Sequence, residues 1–282
     1  MNVDSYFSTI LEKQKKLLFR FPLTNGGIGD MVKFFICALD VAIRYDLRIC
    51  FLKSDNPITK YLISTCEHVY IEDEELDGSS IISVQQYNQI EELSRNIDTG
   101  STIQVSPHIF YDIPIYEIVD KYNISEIFKF ADDICQMKKD NNISEEYVSV
   151  HIRRGDKHIE AASSVKQVPH DSRPFDQTNF DNMVNNLFND NNSVMLFSDS
   201  MVFKKMMSKK FDKIQCLDLK IGHTTWTNTS NEQIKNTVFE FYVLSNSTKI
   251  FANCVSGFSK MASAINKIDI EYYESDIVST RY

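Results

Sequence analysis

A short apolar run, Leu17–Pro22, stops at Thr24-Asn25-Gly26-Gly27-Ile28-Gly29-Asp30. A long stretch with helical apolar spacing follows, Met31 to Tyr45, and then a second apolar run, Arg48–Leu52. That order predicts a strand, a glycine loop, a helix and a second strand, a βαβ unit. A strand that returns through a crossover helix lies parallel to the first, so this segment alone directs the chain towards a parallel sheet. Further strands are predicted at His68–Ile71, Ile81–Val84 and Thr102–Val105, with an acidic turn from Glu72 to Asp77. From Tyr111 to Lys139 the pattern is mostly helical, and the polar run Lys138–Asn142 marks a domain boundary.

The second half restarts with the β-branched alternation of Tyr147–Ile152 and ends that strand on Arg153-Arg154-Gly155-Asp156-Lys157. Strands at Ser193–Phe197, Lys213–Leu217 and Lys249–Ala252 then alternate with helices at Phe175–Phe188, Met201–Lys210, Gln233–Ser245 and Gly257–Ile265. Strand–helix alternation in both halves predicts an α/β protein of two parallel-sheet domains, residues 1–142 and 143–282. The length of 282 residues suits that division.

Composition narrows the function. Apolar residues make up 43% and charged residues 24%, as in ordinary globular proteins, which excludes a disordered or disulfide-scaffold chain. A net charge of −9 argues against a general nucleic-acid partner, because such proteins displace counterions with a basic face. It leaves room for a local phosphate pocket around Arg153, Arg154 and Lys157. Six scattered cysteines without CxxC spacing predict buried thiols in a reducing, cytoplasmic setting and no zinc site. The charged N-terminus, with Asp4, Glu12, Lys13, Lys15 and Lys16, does not read as a signal peptide, and no run approaches the length of a membrane span.

Three strand-end loops carry the chemistry. In Asn25-Gly26-Gly27-Ile28-Gly29-Asp30, absent side chains let backbone N–H groups approach a ligand at a helix N-terminus. A tight strand–helix turn explains the same residues equally well. In His151-Ile152-Arg153-Arg154-Gly155-Asp156-Lys157, a strand delivers two guanidinium forks suited to phosphate oxygens; an Arg154–Asp156 ion pair is the plainer alternative. In Asn253-Cys254-Val255-Ser256-Gly257-Phe258-Ser259, Ser256 and Ser259 can cap a helix while N–H groups and hydroxyls face an anion. Ligands of parallel sheets sit at the carboxyl ends of strands, and all three loops are predicted there. Together they predict a nucleotide diphosphate site.

The residues His151-Ile-Arg-Arg-Gly-Asp-Lys157 resemble the His-x-Arg-Arg-x-Asp-Lys motif of alpha-1,6-fucosyltransferases and nodulation fucosyltransferases. Glu160-Ala161-Ala162 resembles their Glu-Ala-Ala, one residue closer here, and Phe197-Ser-Asp-Ser200 is similar to their strand-terminal Thr-Asp-Asp. Asn253-Cys-Val-Ser-Gly-Phe-Ser259 resembles the Asn-Cys-Val-Ser-Ser-Phe loop of protein O-fucosyltransferases. The similarity runs from Asn25–Leu52 to Ile234–Ile265 and is most specific at His151–Lys157.

This resemblance implies a GT-B fold, two facing Rossmann-like domains with an interdomain cleft, and inverting transfer of fucose from GDP-fucose to a glycan or protein hydroxyl. It implies no cofactor and no required metal, and the chain has no Asp-x-Asp motif. Residues 1–142 would lie on the acceptor side and 143–282 would bind the nucleotide sugar. Arg153 is then the first choice for the β-phosphate, assisted by Lys157, Ser256, Gly257, Phe258, Ser259 and the Asn25, Gly26, Gly27, Gly29 loop. His151 and Asp199 would face guanine; a packed core histidine and a helix N-cap are their plainer roles. Glu160 is the first candidate for general base and Asp156 the second. The loop His223-Thr-Thr-Trp226 offers a ring to an acceptor sugar or to the core. The Gly27-Ile-Gly-Asp30 loop also resembles that of heptosyltransferases, which keeps another sugar nucleotide open, as does a catalytically inactive nucleotide- or glycan-binding module.

Overall fold

The computed structural model describes residues 2–23, 25–76, 80–155, 158, 173, 175–190, 193–223 and 229–273. The chain divides into two compact units, Met1–Ala131 and Asp132–Tyr282.

The first unit opens with helix α1 (Val3–Ser8), strand β1 (Lys16–Phe19), helix α2 (Ile28–Arg44) and strands β2 (Arg48–Leu52), β3 (Leu62–Ser64), β4 (Tyr70–Ile71) and β5 (Ile81–Ser83). Helix α3 (Asn88–Asn96), strand β6 (Thr102–Val105), helix α4 (Ile115–Lys121) and strand β7 (Phe128–Phe130) complete it. Its main sheet runs β4-β2-β1-β6-β5, parallel throughout. Helix α2 exists because its apolar residues recur around nearly the whole cylinder: Met31, Phe35, Ile36 and Leu39 are all fully buried. Phe35 meets Phe19 of β1 and Phe51 of β2 ring to ring, which fixes the crossover on the sheet.

The second unit starts at helix α5 (Asp132–Asp140) and continues through β8 (Val148–Ile152), α6 (Gln177–Asn189), β9 (Val194–Ser198), α7 (Met201–Lys210) and β10 (Ile214–Cys216). Helix α8 (Asn231–Leu244), β11 (Lys249–Ala252), α9 (Gly257–Asn266) and β12 (Ile270–Tyr272) follow. The sheet order is β10-β9-β8-β11-β12, again all parallel. Every residue of β8 and β9 is buried, as expected of parallel strands covered on both faces. In each unit the first sheet strand is central and the order reverses beside it, the doubly wound arrangement whose ligands bind at that reversal.

Two expectations change. The stretch Tyr111–Lys139 is not one helical region: α4 and α5 are separated by β7, which pairs antiparallel with β3. The alternation Phe128-Lys129-Phe130 has the period of a strand, with Phe128 buried against Phe35. The chain also divides ahead of α5, not at residue 142. Helix α5 packs on α8, where Lys235 reaches Asp133 at 2.7 Å, so it belongs to the second core. Strand β12 is an addition to the strands expected from the sequence.

Candidate functional site

Three strand ends of the second unit converge around Arg153. Strand β8 is followed directly by Arg153, its neighbour β9 by Asp199 and its other neighbour β11 by Asn253. The parallel register places Ile152 beside Ser198 and His151 beside Ala252, so the three residues leave the same edge together.

Asp199 and Asn253 fasten the loop that follows β8. The Arg153 N–H donates to Asn253 Oδ1 at 2.8 Å, and Asn253 Nδ2 donates to the Arg153 carbonyl at 3.1 Å. Asp199 Oδ2 accepts from Arg153 Nη1 and from the Gly155 N–H, both at 2.8 Å, while Oδ1 accepts from the Arg154 N–H at 2.8 Å. Gly155 sits at φ +109°, a conformation that glycine adopts without penalty. The Arg153 side chain is 18% exposed, so its guanidinium is held at the sheet edge and not released into solvent. Burial pushes the Asp199 carboxyl up from its ordinary value; Arg153 and the two backbone donors pull it down against that effect.

His151 is buried on β8 and stacks on Phe258, with centroids 5.5 Å apart. Phe258 in turn meets Phe241 edge-on at 5.1 Å. Burial, with Arg153 adding to it, lowers the imidazole pKa to about 3, so His151 is neutral at physiological pH. Its Nδ1 is buried with no hydrogen-bond partner among the described residues.

In the third loop, Ser256 is the N-cap of α9 and accepts from the Phe258 N–H at 3.3 Å, and Gly257 is the first helical residue. Ser259 is fully buried, with its hydroxyl on the Ser256 carbonyl at 3.5 Å. The plainer role considered for Asp199 does not hold, because Ser200 is the N-cap of α7, accepting from Phe203 N–H at 3.2 Å. Arg154 lies over two rings, Phe175 at 4.7 Å and Phe203 at 5.3 Å. The sequence points to Asn253 only as the start of a loop; its bracket with Arg153 joins positions 100 residues apart and leaves no local signal.

In the first unit, Gly27 caps α2 and its N–H donates to Asp30 Oδ2 at 3.3 Å. Gly26 has φ +125°, and a Cβ there would lie 2.8 Å from the same oxygen, so the position requires glycine. Asn25 turns the chain with its N–H on Pro22, and Gly29 is buried within the first turn of α2. Asp156, Lys157, Glu160 and Trp226 lie outside the described residues.

Among the described residues no group of three or more His, Cys, Asp or Glu side chains could hold a metal, and no helix is long and apolar enough to cross a membrane. No two cysteines form a disulfide; Cys37, Cys50 and Cys254 are buried and Cys66, Cys135 and Cys216 half-buried.

No protein-family model matches the chain, and no curated protein matches it. Solved structures do. The NodZ alpha-1,6-fucosyltransferase soaked with GDP-fucose aligns over 93% of this chain and 96% of its own, with TM-score 0.55 and 12% identity. POFUT1 in complex with GDP aligns over 93% and 98%, with TM-score 0.53 and 10% identity. A mutant of Arabidopsis thaliana FUT1 in complex with GDP aligns over 96% of this chain and 74% of that one, with TM-score 0.53 and 11% identity. The two parallel, doubly wound sheets therefore share the fold of these solved structures.

Proposed function

We propose that this chain is a glycosyltransferase that transfers fucose from GDP-fucose to a hydroxyl of a glycan or protein, with inversion and without a required metal. The observation that carries this reading is the Arg153 guanidinium, fixed by Asp199 at the strand reversal of a sheet whose structural neighbours were solved with GDP or GDP-fucose. Ligands of doubly wound sheets bind at that reversal.

The acceptor oxygen attacks C1 of fucose from the face opposite the nucleotide. The bond between C1 and the diphosphate oxygen breaks, and the electron pair leaves on the diphosphate. Arg153 stabilises that developing charge, a task for which a pre-fixed donor needs no reorganisation. Lys157 and the Ser256–Ser259 loop assist it, with Gly257 and Phe258 shaping the pocket; in the first unit the Asn25, Gly26, Gly27, Gly29 loop is a further donor-binding segment. Asp199 acts through Arg153. The acceptor proton passes to a carboxylate, Glu160 before Asp156. The second unit carries most of the nucleotide-binding residues, and the first, its glycine loop apart, serves the acceptor.

A thermal-shift series with GDP, ADP and UDP tests the donor, since a ligand stabilises the folded state by RT ln(1 + [L]/Kd). Stabilisation by GDP alone, with turnover of GDP-fucose, is the expected result. Stabilisation by ADP or UDP instead favours another sugar nucleotide, and GDP binding without turnover favours a binding module.

A further inference from the structure

The device that holds Arg153 occurs twice. In the first unit, Arg20 follows the central strand β1, Asp55 follows the neighbouring strand β2, and Gln104 lies on β6, the other neighbour. Arg20 Nε donates to Asp55 Oδ2 and Nη2 to Asp55 Oδ1, each at 2.7 Å, and Nη1 donates to Gln104 Oε1 at 3.3 Å. Asp55 Oδ2 also accepts the Phe21 N–H at 3.1 Å. One carboxylate thus holds both the guanidinium at the tip of the central strand and the backbone N–H just after it, as Asp199 does with Arg153, Arg154 and Gly155.

The two brackets differ in geometry. Asp199 grips Arg153 through Nη1, whereas Asp55 takes Arg20 side-on and Gln104 takes the remaining terminal nitrogen. Each of the three guanidinium nitrogens of Arg20 thus bonds the protein, which holds the side chain in place. The segment it and Asp55 aim is the one leading from Phe21 to Asn25, Gly26 and Gly27.

We infer that Asp55 and Arg20 are positioning residues for the glycine loop, and that the loop is held in shape before ligand arrives. The inference rests on the donor reading above, in which that loop contacts the nucleotide sugar. It separates these residues from Asp40, a buried carboxylate held by Arg44, Lys121 and Tyr122 that fastens α2 to α4 and touches nothing in the loop.

The test compares Asp55→Asn and Arg20→Lys with Asp40→Asn as the control of similar burial. Two readouts are taken: KM and kcat for GDP-fucose, and amide hydrogen exchange of Gly26 and Gly27. Small misplacements of binding groups cost roughly 10- to 100-fold, so Asp55→Asn is expected to raise the donor KM about tenfold with kcat within about twofold. Its Gly26 and Gly27 amides are expected to exchange faster, with Arg20→Lys between it and wild type. Asp40→Asn should lower the melting temperature while leaving donor KM and loop exchange unchanged. Equal effects of Asp55→Asn and Asp40→Asn on both readouts would overturn the inference, as would wild-type loop exchange in folded Asp55→Asn. Should Asp55→Asn not fold, Arg20→Lys decides between the same outcomes on the same two readouts. Absence of GDP-fucose turnover in wild type would sink the donor reading, and amide exchange would still decide the bracket.

Discussion

Arg153 and Asn253 hold one another in both directions: the backbone N–H of Arg153 donates to the Asn253 amide oxygen at 2.8 Å, and the Asn253 amide returns to the Arg153 carbonyl at 3.1 Å. This pair crosses the point where the strand order of the second sheet reverses, and so fixes the direction in which the chain leaves β8. Asn253 is 1% exposed, so water cannot replace what it supplies. Asn253→Leu leaves a buried donor and acceptor unpaired, a loss of about 1–3 kcal/mol per group. Its denaturant midpoint should fall with an unchanged m-value; a midpoint equal to wild type would contradict the role assigned to it.

His151 makes stability depend on pH. Its folded pKa of about 3 lies below the unfolded value near 6.5, so the unfolded state binds the proton first. The stability that His151 contributes is full above about 6.5 and is lost as pH falls from there towards 3, at up to about 1.4 kcal/mol per pH unit. Denaturant titrations of wild type and His151→Phe at several pH values isolate this dependence. The difference between the two proteins should change across that window in favour of the variant at low pH; a constant difference would refute it.

Neighbouring arginines should not be equivalent. Arg154 lies over Phe175 and Phe203, and such contacts contribute roughly 0.5–2 kcal/mol. Arg154→Met should therefore lower thermal stability while leaving turnover within a few-fold of wild type. A collapse of turnover in a folded protein would move Arg154 into the chemistry.

Behind the site, Lys204 and Glu240 form a fully buried ion pair at 2.8 Å, and Lys204 also reaches the Leu217 carbonyl at 3.2 Å. Burial pushes the Glu240 carboxyl up, with Lys204 opposing it. Removing one partner strands a charge, whereas replacing both with apolar groups removes the desolvation cost as well. Lys204→Met alone should cost about 3–5 kcal/mol, and the added Glu240→Leu should recover most of it. Additive losses in the double variant, read from denaturant midpoints, would contradict this.

The strand-end logic is legible in the sequence because it is local. Glycine at Gly26, the strand tip at Arg153 and the Ser256 cap each follow from a few consecutive residues. Their partners are not legible, because Asp199 and Asn253 reach the Arg153 loop from positions about 46 and 100 residues away. For the same reason nothing local joins Asp55 to Arg20. Strand β7 hides inside an apparent helical stretch, since three residues are too few for a period to declare itself. Boundary polarity also misleads: Lys138–Asn142 reads as a linker, yet Ile134 and Lys138 are buried in the second unit.

Arg153→Lys is the most direct test of the central claim, because it keeps the charge and removes the fork held by Asp199. Release of GDP from GDP-fucose, followed in wild type and variant with folding checked by thermal melting, is the measurement. Loss of one such fixed donor typically lowers kcat about 10²–10³-fold, and that is the result expected here. An Arg153→Lys protein that turns over as fast as wild type would show that this guanidinium does not carry the leaving group.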